Sequence, residues 1–269
     1  MSDELKNKKS SSERTVAFIG GLHRSGTTLL ANLLGAHSDV SAFVDTGAPK
    51  DEGQHLQTVF PTVNKYGGSG RFAFDKRAHL TESSELVTDE NKLKLWKQWS
   101  KHWDLGKKIL LEKSPPNLMM TRFLQEMIPG AVFIILFRHP VITSLATQKW
   151  SKTSLDELMQ HWLKAFEVYG EDKKHLRKLH EVYYEDLIRE PEATISKLYL
   201  HLGLEIERLP EIKIRTMKNT KYEKMWRELE KSDPNLITTL TDKYESRINR
   251  FGYTMIPDKS DEFRYLKLF

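Results

Sequence analysis

The sequence contains no cysteine among its 269 residues. Disulfides, thiolate metal ligands and cysteine nucleophiles are therefore excluded, and a reducing compartment is compatible with this composition. Long apolar segments are also missing, since the longest run, Ala131 to Phe137, is far too short to cross a bilayer. No Asn-x-Ser/Thr acceptor occurs, and residues 1–14 are polar rather than leader-like. We expect a cytoplasmic protein without a membrane span.

The residues that are present describe a globular chain. Apolar residues make up 39% and charged residues 29%, and the length suffices for one large α/β domain. The net charge of +5 favours an anionic ligand but is too small to argue for nucleic acid. We predict a disordered tail at 1–14, one domain at 15–257 and a C-terminal extension at 258–269.

The most informative stretch runs from Val16 to Leu30, where an apolar run is followed by a Gly/Ser/Thr turn and then by helically spaced leucines. This layout is typical of a phosphate-binding loop, whose amide N–H groups and helix N-terminus attract an anion. Gly21 and Gly26 have the Walker A spacing, but Thr27 stands where the lysine should be, and the cation is Arg24. The pattern predicts an anion site that does not handle a nucleoside triphosphate through lysine and Mg²⁺.

Apolar and amphipathic segments alternate along the rest of the chain, apart from a Gly-rich stretch at 45–81 that we interpret as a long loop or lid. The alternation favours an α/β, P-loop-containing three-layer fold with a central parallel sheet flanked by helices. Besides the first strand, we predict strands at 40–44, 109–111, 132–137 and 182–187, and helices at 91–103, 117–127, 140–150, 155–179 and 191–202.

Polar or charged residues follow several of these strands. They are Gly20 to Thr28, Lys113–Ser114, Arg138 and Tyr184–Glu185. Because ligands bind beyond the carboxyl ends of parallel strands, these groups are expected to meet at one edge of the sheet.

These motifs resemble those of sulfotransferases that use 3′-phosphoadenosine 5′-phosphosulfate (PAPS), in the branch that includes bacterial sulfotransferases and the tyrosylprotein enzymes. The resemblance covers Thr15 to Leu204. Residues 24–28 are similar to the family's 5′-phosphosulfate loop and residues 137–140 to its 3′-phosphate site. Residues 112–115, 184–187 with Pro191, and 202–204 also match in the family's order.

The resemblance implies that PAPS is the donor, that 3′-phosphoadenosine 5′-phosphate (PAP) is the product, and that no metal takes part. It implies catalytic roles for Arg24 and Lys113 at the leaving group, and Asp45 falls where the tyrosylprotein enzymes carry a catalytic glutamate, with His55 and Glu52 as alternatives. The donor-binding residues it implies are Gly21, His23, Arg24, Ser25, Gly26, Thr27, Thr28, Arg138, Ser144 and Tyr184.

Two positions depart from the family pattern. Ala146 stands where members commonly place a 3′-phosphate serine, and Ser144 lies two residues away on another helix face. Pro115 stands where the cytosolic aryl-type enzymes carry a catalytic histidine, so the general base must come from elsewhere.

The function predicted from the sequence is sulfuryl transfer to a hydroxyl group of a small-molecule or carbohydrate acceptor. A P-loop small-molecule kinase is one alternative, although Thr27 argues against it. The other is a non-catalytic binder of 3′-phosphoadenosine nucleotides. The sequence does not choose between a sugar, a phenol, a lipid head group and a peptide tyrosine, and it leaves the oligomeric state open.

Overall fold

The computed structural model describes residues 14–209 and 217–266. Strand β1 (Thr15–Gly21) leads into helix α1 (Thr27–Gly35), and strand β2 (Val40–Ala42) follows. The later elements are α2 (Asp89–Trp99), β3 (Ile109–Lys113), α3 (Thr121–Met127), β4 (Val132–Phe137), α4 (Pro140–Ser151), α5 (Leu155–Asp172), β5 (Leu179–Tyr183), α6 (Tyr184–Arg189), α7 (Pro191–His201), α8 (Met217–Ser232) and α9 (Pro234–Asn249).

The described strands form one parallel sheet in the order β2-β3-β1-β4-β5. In the register, Ile19 of β1 lies opposite Lys113 of β3 and Ile134 of β4. Because every pairing is parallel, the carboxyl ends of all the strands meet at one edge. This arrangement confirms the predicted α/β fold with a central parallel sheet.

Helices cover both faces of the sheet, and alternate side chains of β1 pack against the helices on opposite faces. Ile19 belongs to a buried cluster with Leu30 of α1. Phe18, on the opposite face, packs against Trp99 of α2, with ring centres 5.8 Å apart. Successive β1 side chains point to opposite faces, so this strand contributes to two cores at once. Among the described helices, none is long and apolar enough to cross a membrane.

The segment at 45–81 lacks long elements, as predicted, but it is packed against the core. It contains short 3₁₀ turns, and Phe60 and Phe72 are buried. The indole of Trp99 donates a hydrogen bond to the carbonyl of Gly53 at 2.9 Å. The segment therefore forms a wall of the domain.

Two predicted boundaries are wrong at the far edge of the sheet. The helix predicted at 155–179 ends at Asp172, and the strand predicted at 182–187 lies at Leu179–Tyr183. Only Val182 of β5 is fully buried, so this edge strand lacks the apolar run by which strands are recognised. The apolar residues Leu187 and Ile188 belong to α6 instead.

The predicted domain limits remain predictions. Residues 1–13 of the proposed tail lie outside the described residues. The described part of the C-terminal extension contacts the domain, since the backbone N–H of Arg264 donates to the carbonyl of Gly252 at 2.8 Å and its guanidinium pairs with Asp186 at 2.7 Å.

Candidate active site

The loop between β1 and α1 has the backbone of an anion cradle. Arg24 adopts φ 69° and Gly26 φ 106°, and the hydroxyl of Ser25 donates to the carbonyl of Leu22 at 2.7 Å. Helix α1 begins at Thr27, so its first-turn N–H groups have no acceptor within the helix. Together with the helix dipole, these amides favour an anion above the loop.

Both loop glycines lie where no side chain fits. A Cβ on Gly26 would lie 2.5 Å from Cδ2 of Tyr184, and one on Gly21 would lie 2.8 Å from the carbonyl oxygen of Leu136. Tyr184, the first residue of α6, therefore supports the loop from the β5 side of the sheet.

Arg138, directly after β4, is linked to this loop. Its side chain is buried, and Nη1 donates to the carbonyl of Arg24 at 2.5 Å. Its guanidinium carbon lies 4.1 Å from the centre of the Tyr184 ring. Burial lowers the pKa of Arg138, and the charge of Arg24 contributes in the same direction. The structure thus brings Arg24, Arg138 and Tyr184 together, with Arg138 in contact with the other two.

A buried ion pair lies at the end of β3. Lys113 is 5% exposed, and its Nζ donates to the carbonyl of Lys50 at 3.0 Å and to Oε1 of Glu52 at 3.2 Å. The other Glu52 oxygen accepts from Nε2 of Gln54 at 2.7 Å, and Nε2 of His55 lies 4.0 Å from it. The pair connects the segment at 45–81 to the sheet edge.

Glu112 holds the same segment from within, a role that the sequence analysis missed. Its carboxylate accepts from the backbone N–H of Gly53 at 2.9 Å, from Ser114 Oγ at 2.6 Å and from Asn117. Burial raises its pKa to about 7. A carboxylate that directly follows the apolar run Ile109 to Leu111 of a buried strand was the signal that could have identified it.

Asp45 is exposed, with φ 52°, and the structure gives its carboxylate no contact with Lys113 among the described residues. Its neighbourhood is ordered by Asp51, which accepts hydrogen bonds from the N–H of Thr46 at 2.8 Å and from its hydroxyl at 2.7 Å. These bonds lower the pKa of Asp51, and the charge of Lys113 adds to the effect. Asp45 thus lies on a turn that Asp51 stabilises, in the same segment as Lys50 and Glu52, which bind Lys113.

His23 and Ser144 lie behind the loop. The His23 ring packs edge-on against Phe72, with centres 5.8 Å apart. Burial lowers its pKa to about 4, while the charges of Glu52 and Lys113 also act on it. Ser144 is 2% exposed and lines a small cavity that His23 also lines, and Ala146 is buried in α4.

Three buried histidines predict a stability loss in acid. Burial lowers the pKa of His23 and His139 to about 4 and that of His161 to about 3. The unfolded chain binds these protons near pH 6.5, so their contribution is complete above that value and is lost as the pH falls. We expect about 2 kcal/mol less unfolding free energy per histidine near pH 5 than near pH 7.5.

Urea unfolding at several pH values measures this loss. Two buried carboxyl groups act in the opposite direction: burial raises the pKa of Glu112 to about 7 and also raises that of Glu185, so their contribution to stability is lost as the pH rises. The three histidines outweigh these two groups, so equal stability at the two pH values would contradict the prediction.

Comparison with known proteins gives a consistent result. A family model described as "Sulfotransferase family" matches residues 17–208. A protein-tyrosine sulfotransferase of Drosophila melanogaster is 28% identical over 206 residues, which are 71% of this chain and 38% of that protein. Protein-tyrosine sulfotransferase 2 of Gallus gallus is 26% identical over 208 residues, which are 72% of this chain and 52% of that protein. The chain therefore spans about half or less of the length of these relatives.

A similar fold occurs among solved structures. Sulfotransferase STF9 of Mycobacterium avium superposes with a TM-score of 0.50 at 12% identity, covering 83% of this chain and 69% of that one. At this identity the likeness concerns the fold alone.

Proposed function

The chain belongs to the sulfotransferase family, and from that premise we propose that it moves a sulfuryl group from PAPS to an acceptor hydroxyl. The observation that carries the proposal is the contact between two strand ends, in which Arg138 donates to the carbonyl of Arg24. This contact aligns one buried guanidinium with a loop built for a second anion, as a nucleotide with phosphate groups at both its 3′ and 5′ positions requires.

The residues fit such a donor in three respects. In the proposal, the first-turn amides of α1 and the hydroxyls of Thr27 and Thr28 bind the 5′-phosphosulfate. Arg138 binds the 3′-phosphate with two parallel N–H groups. Because Gly26 has no side chain, the Tyr184 ring packs directly against the loop backbone and holds it beside Arg138.

The leaving group is stabilised by fixed positive charge. When bound, PAPS supplies the sulfuryl group together with an acidic leaving phosphate. Arg24 and Lys113 contribute guanidinium and ammonium charge where negative charge develops, by analogy with phosphoryl transfer. Glu52 holds the Lys113 ammonium at 3.2 Å and is therefore a positioning residue in this scheme.

The general base of the proposal is Asp45. Its carboxylate is exposed, whereas the Glu52 carboxylate is already bound to Lys113 and Gln54. A base must reach the acceptor hydroxyl to take its proton, and an exposed carboxylate is accessible to an incoming acceptor. His55 remains the alternative base.

The replacement Asp45→Asn tests this assignment. We expect the turnover number to fall about 100-fold or more, because an amide cannot accept the proton, while PAP affinity stays unchanged. Steady-state kinetics with labelled PAPS and calorimetry with PAP measure the two quantities.

Glu52→Gln is the matched control among the acidic residues of this segment. It is expected to weaken the placement of Lys113, and so to lower turnover without removing a base. Full activity of Asp45→Asn together with an inactive His55→Ala variant would identify His55 as the base.

The acceptor we propose is a phenolic hydroxyl, with the tyrosine side chain of a protein as the first candidate. The support comes from the two relatives, which are named protein-tyrosine sulfotransferases. An exposed aromatic side chain also lies beside the loop: Trp150 is 66% exposed, and the Arg24 guanidinium carbon lies 5.8 Å from its ring centre. Such a ring can stack with a phenol or with a sugar. Small-molecule and carbohydrate acceptors are therefore included in the acceptor assay below.

A panel assay distinguishes the possibilities. The protein is incubated with labelled PAPS and with a tyrosine peptide, a simple phenol or an oligosaccharide. Label on the peptide supports the proposal, and label on another member corrects the acceptor but keeps the reaction. PAP binding without any transfer would indicate a non-catalytic nucleotide binder, and Mg²⁺-dependent ATP turnover would indicate a kinase.

A further inference from the structure

A small cavity lies beside the loop between β1 and α1, and Leu22 and His23 of that loop form part of its lining. The volume in which the centre of a water molecule can lie is about 10 Å³. The lining residues are Leu22, His23, Gly70, Thr143, Ser144, Thr147, Leu158, His161 and Trp162. A space of this size holds one water molecule and is too small for a phosphate or an organic ligand.

Three polar side-chain atoms are left without a partner around this cavity. They are Nδ1 of His23, Oγ of Ser144 and Nε2 of His161, all buried and without a hydrogen bond to any described residue. Ser144 is 2% exposed and His161 3%. Buried polar atoms are nearly always bonded, so three orphans around one cavity require an explanation.

The other polar neighbours cannot satisfy them. The indole N–H of Trp162 donates to the carbonyl of Arg138 at 3.0 Å. The hydroxyl of Thr147 donates to the carbonyl of Thr143 at 2.8 Å, inside α4. Because both groups already donate to backbone carbonyls, neither donates to the three unpartnered atoms.

We propose that one buried water occupies this cavity and hydrogen-bonds His23, Ser144 and His161, fixing the imidazole of His23 from behind. Three partners is the typical number for a buried water. The water donates to Nδ1 of His23 and accepts from Ser144 or His161, which leaves the His23 proton on Nε2. Its consequence for sulfuryl transfer rests on the proposed function.

The His23 ring lines this cavity, packs against Phe72 and is close to the charged groups of the loop and of the Lys113 pair. The charges of Glu52, Lys113, His55 and Arg24 act on the pKa of His23, and the charge of His23 acts on that of His161. Burial keeps both imidazoles neutral at pH 7, so each has one N–H and one acceptor nitrogen. With its proton on Nε2, His23 keeps a neutral N–H on the side of the ring opposite the water, and this donor is assigned to the anion bound by the loop.

Nitrogen NMR of the histidine-labelled full chain tests the proposal without any nucleotide. We expect the His23 signal to report the Nε2-protonated tautomer, and Ser144→Ala to shift it toward a mixture of tautomers. His161→Phe is expected to shift the His23 signal in the same way, because phenylalanine keeps an aromatic ring at this position but has no nitrogen to bind the water. His201→Phe, at an exposed position on α7, is the control and should leave the His23 signal unchanged.

A high-resolution crystal structure supplies the second readout. Density for a water within about 3.2 Å of the three atoms supports the proposal, whereas an empty cavity or direct bonds between the side chains would overturn it. An unshifted His23 signal in Ser144→Ala would also overturn it.

PAP calorimetry then tests the link to the reaction. Ser144→Ala is expected to weaken PAP binding about five- to tenfold, as the loss of one hydrogen bond implies. If the water is present and the tautomer correct but the parent protein binds no PAP, the proposed function fails and the water site stands.

Discussion

Replacement of Arg138 by methionine is expected to lower the affinity for PAP by about 100-fold and to abolish the preference for PAP over AMP. Methionine keeps the apolar bulk in the buried site, but it removes the positive charge and the guanidinium N–H groups, including the two that are proposed to bind the 3′-phosphate. AMP lacks the 3′-phosphate, so its affinity should change much less. Titration calorimetry with the two nucleotides measures the preference directly.

The AMP comparison also separates two causes, because Arg138 donates to the carbonyl of Arg24 and its loss could shift the loop. A shifted loop would weaken both nucleotides alike, and an unchanged PAP-to-AMP ratio would remove the 3′-phosphate role. Arg264→Met is the matched control. Its guanidinium also lies over a tyrosine, 3.6 Å from the Tyr183 ring centre, and pairs with Asp186, but it belongs to the C-terminal extension.

Gly26→Ala is expected to destroy donor binding and to lower the free energy of unfolding by about 2–4 kcal/mol. Two effects add up in this variant. The backbone has φ 106°, which alanine rarely adopts, and the new Cβ would lie 2.5 Å from the buried ring of Tyr184. Relief requires the loop to rise from Tyr184, which displaces the amides that face the anion.

Gly130→Ala isolates the backbone part of that effect. Gly130 has φ 85°, but nothing lies within 4 Å of an added Cβ. We expect about 1 kcal/mol of destabilisation and normal PAP binding for this variant. Equal unfolding free energies for the two variants, or normal PAP binding by Gly26→Ala, would contradict the packing argument.

Local pattern was sufficient to predict the strands that lie in the middle of the sheet. The run Val132 to Phe137 is apolar without interruption because both faces of β4 are covered, and the predicted strand coincides with the observed one. The loop from Gly20 to Thr28 was also predicted from the sequence, because its glycines and hydroxyl residues follow an apolar run and precede a helical pattern. Parallel pairing then brings Arg24 and Arg138 together.

Contacts between distant residues were beyond the sequence. The pairing of Lys113 with Glu52 joins positions 61 residues apart, and Glu52 was only one of several candidate acids. The cavity beside the loop is lined by four separate chain segments, and His161 follows the ordinary pattern of a buried helix residue. The edge strand β5 was misplaced because its side chains are half-buried and carry no strong period.

Strand β1 lies between β3 and β4, so the loop that follows it has the end of another strand on each flank. Under the proposed function, Arg138 and Tyr184 on one flank bind the nucleotide, while on the other flank Lys113 stabilises the leaving phosphate and the turn at Asp45 serves the acceptor. If these roles are correct, substitutions near Asp45 are expected to change the choice of acceptor, whereas the affinity for PAP is set on the flank of Arg138.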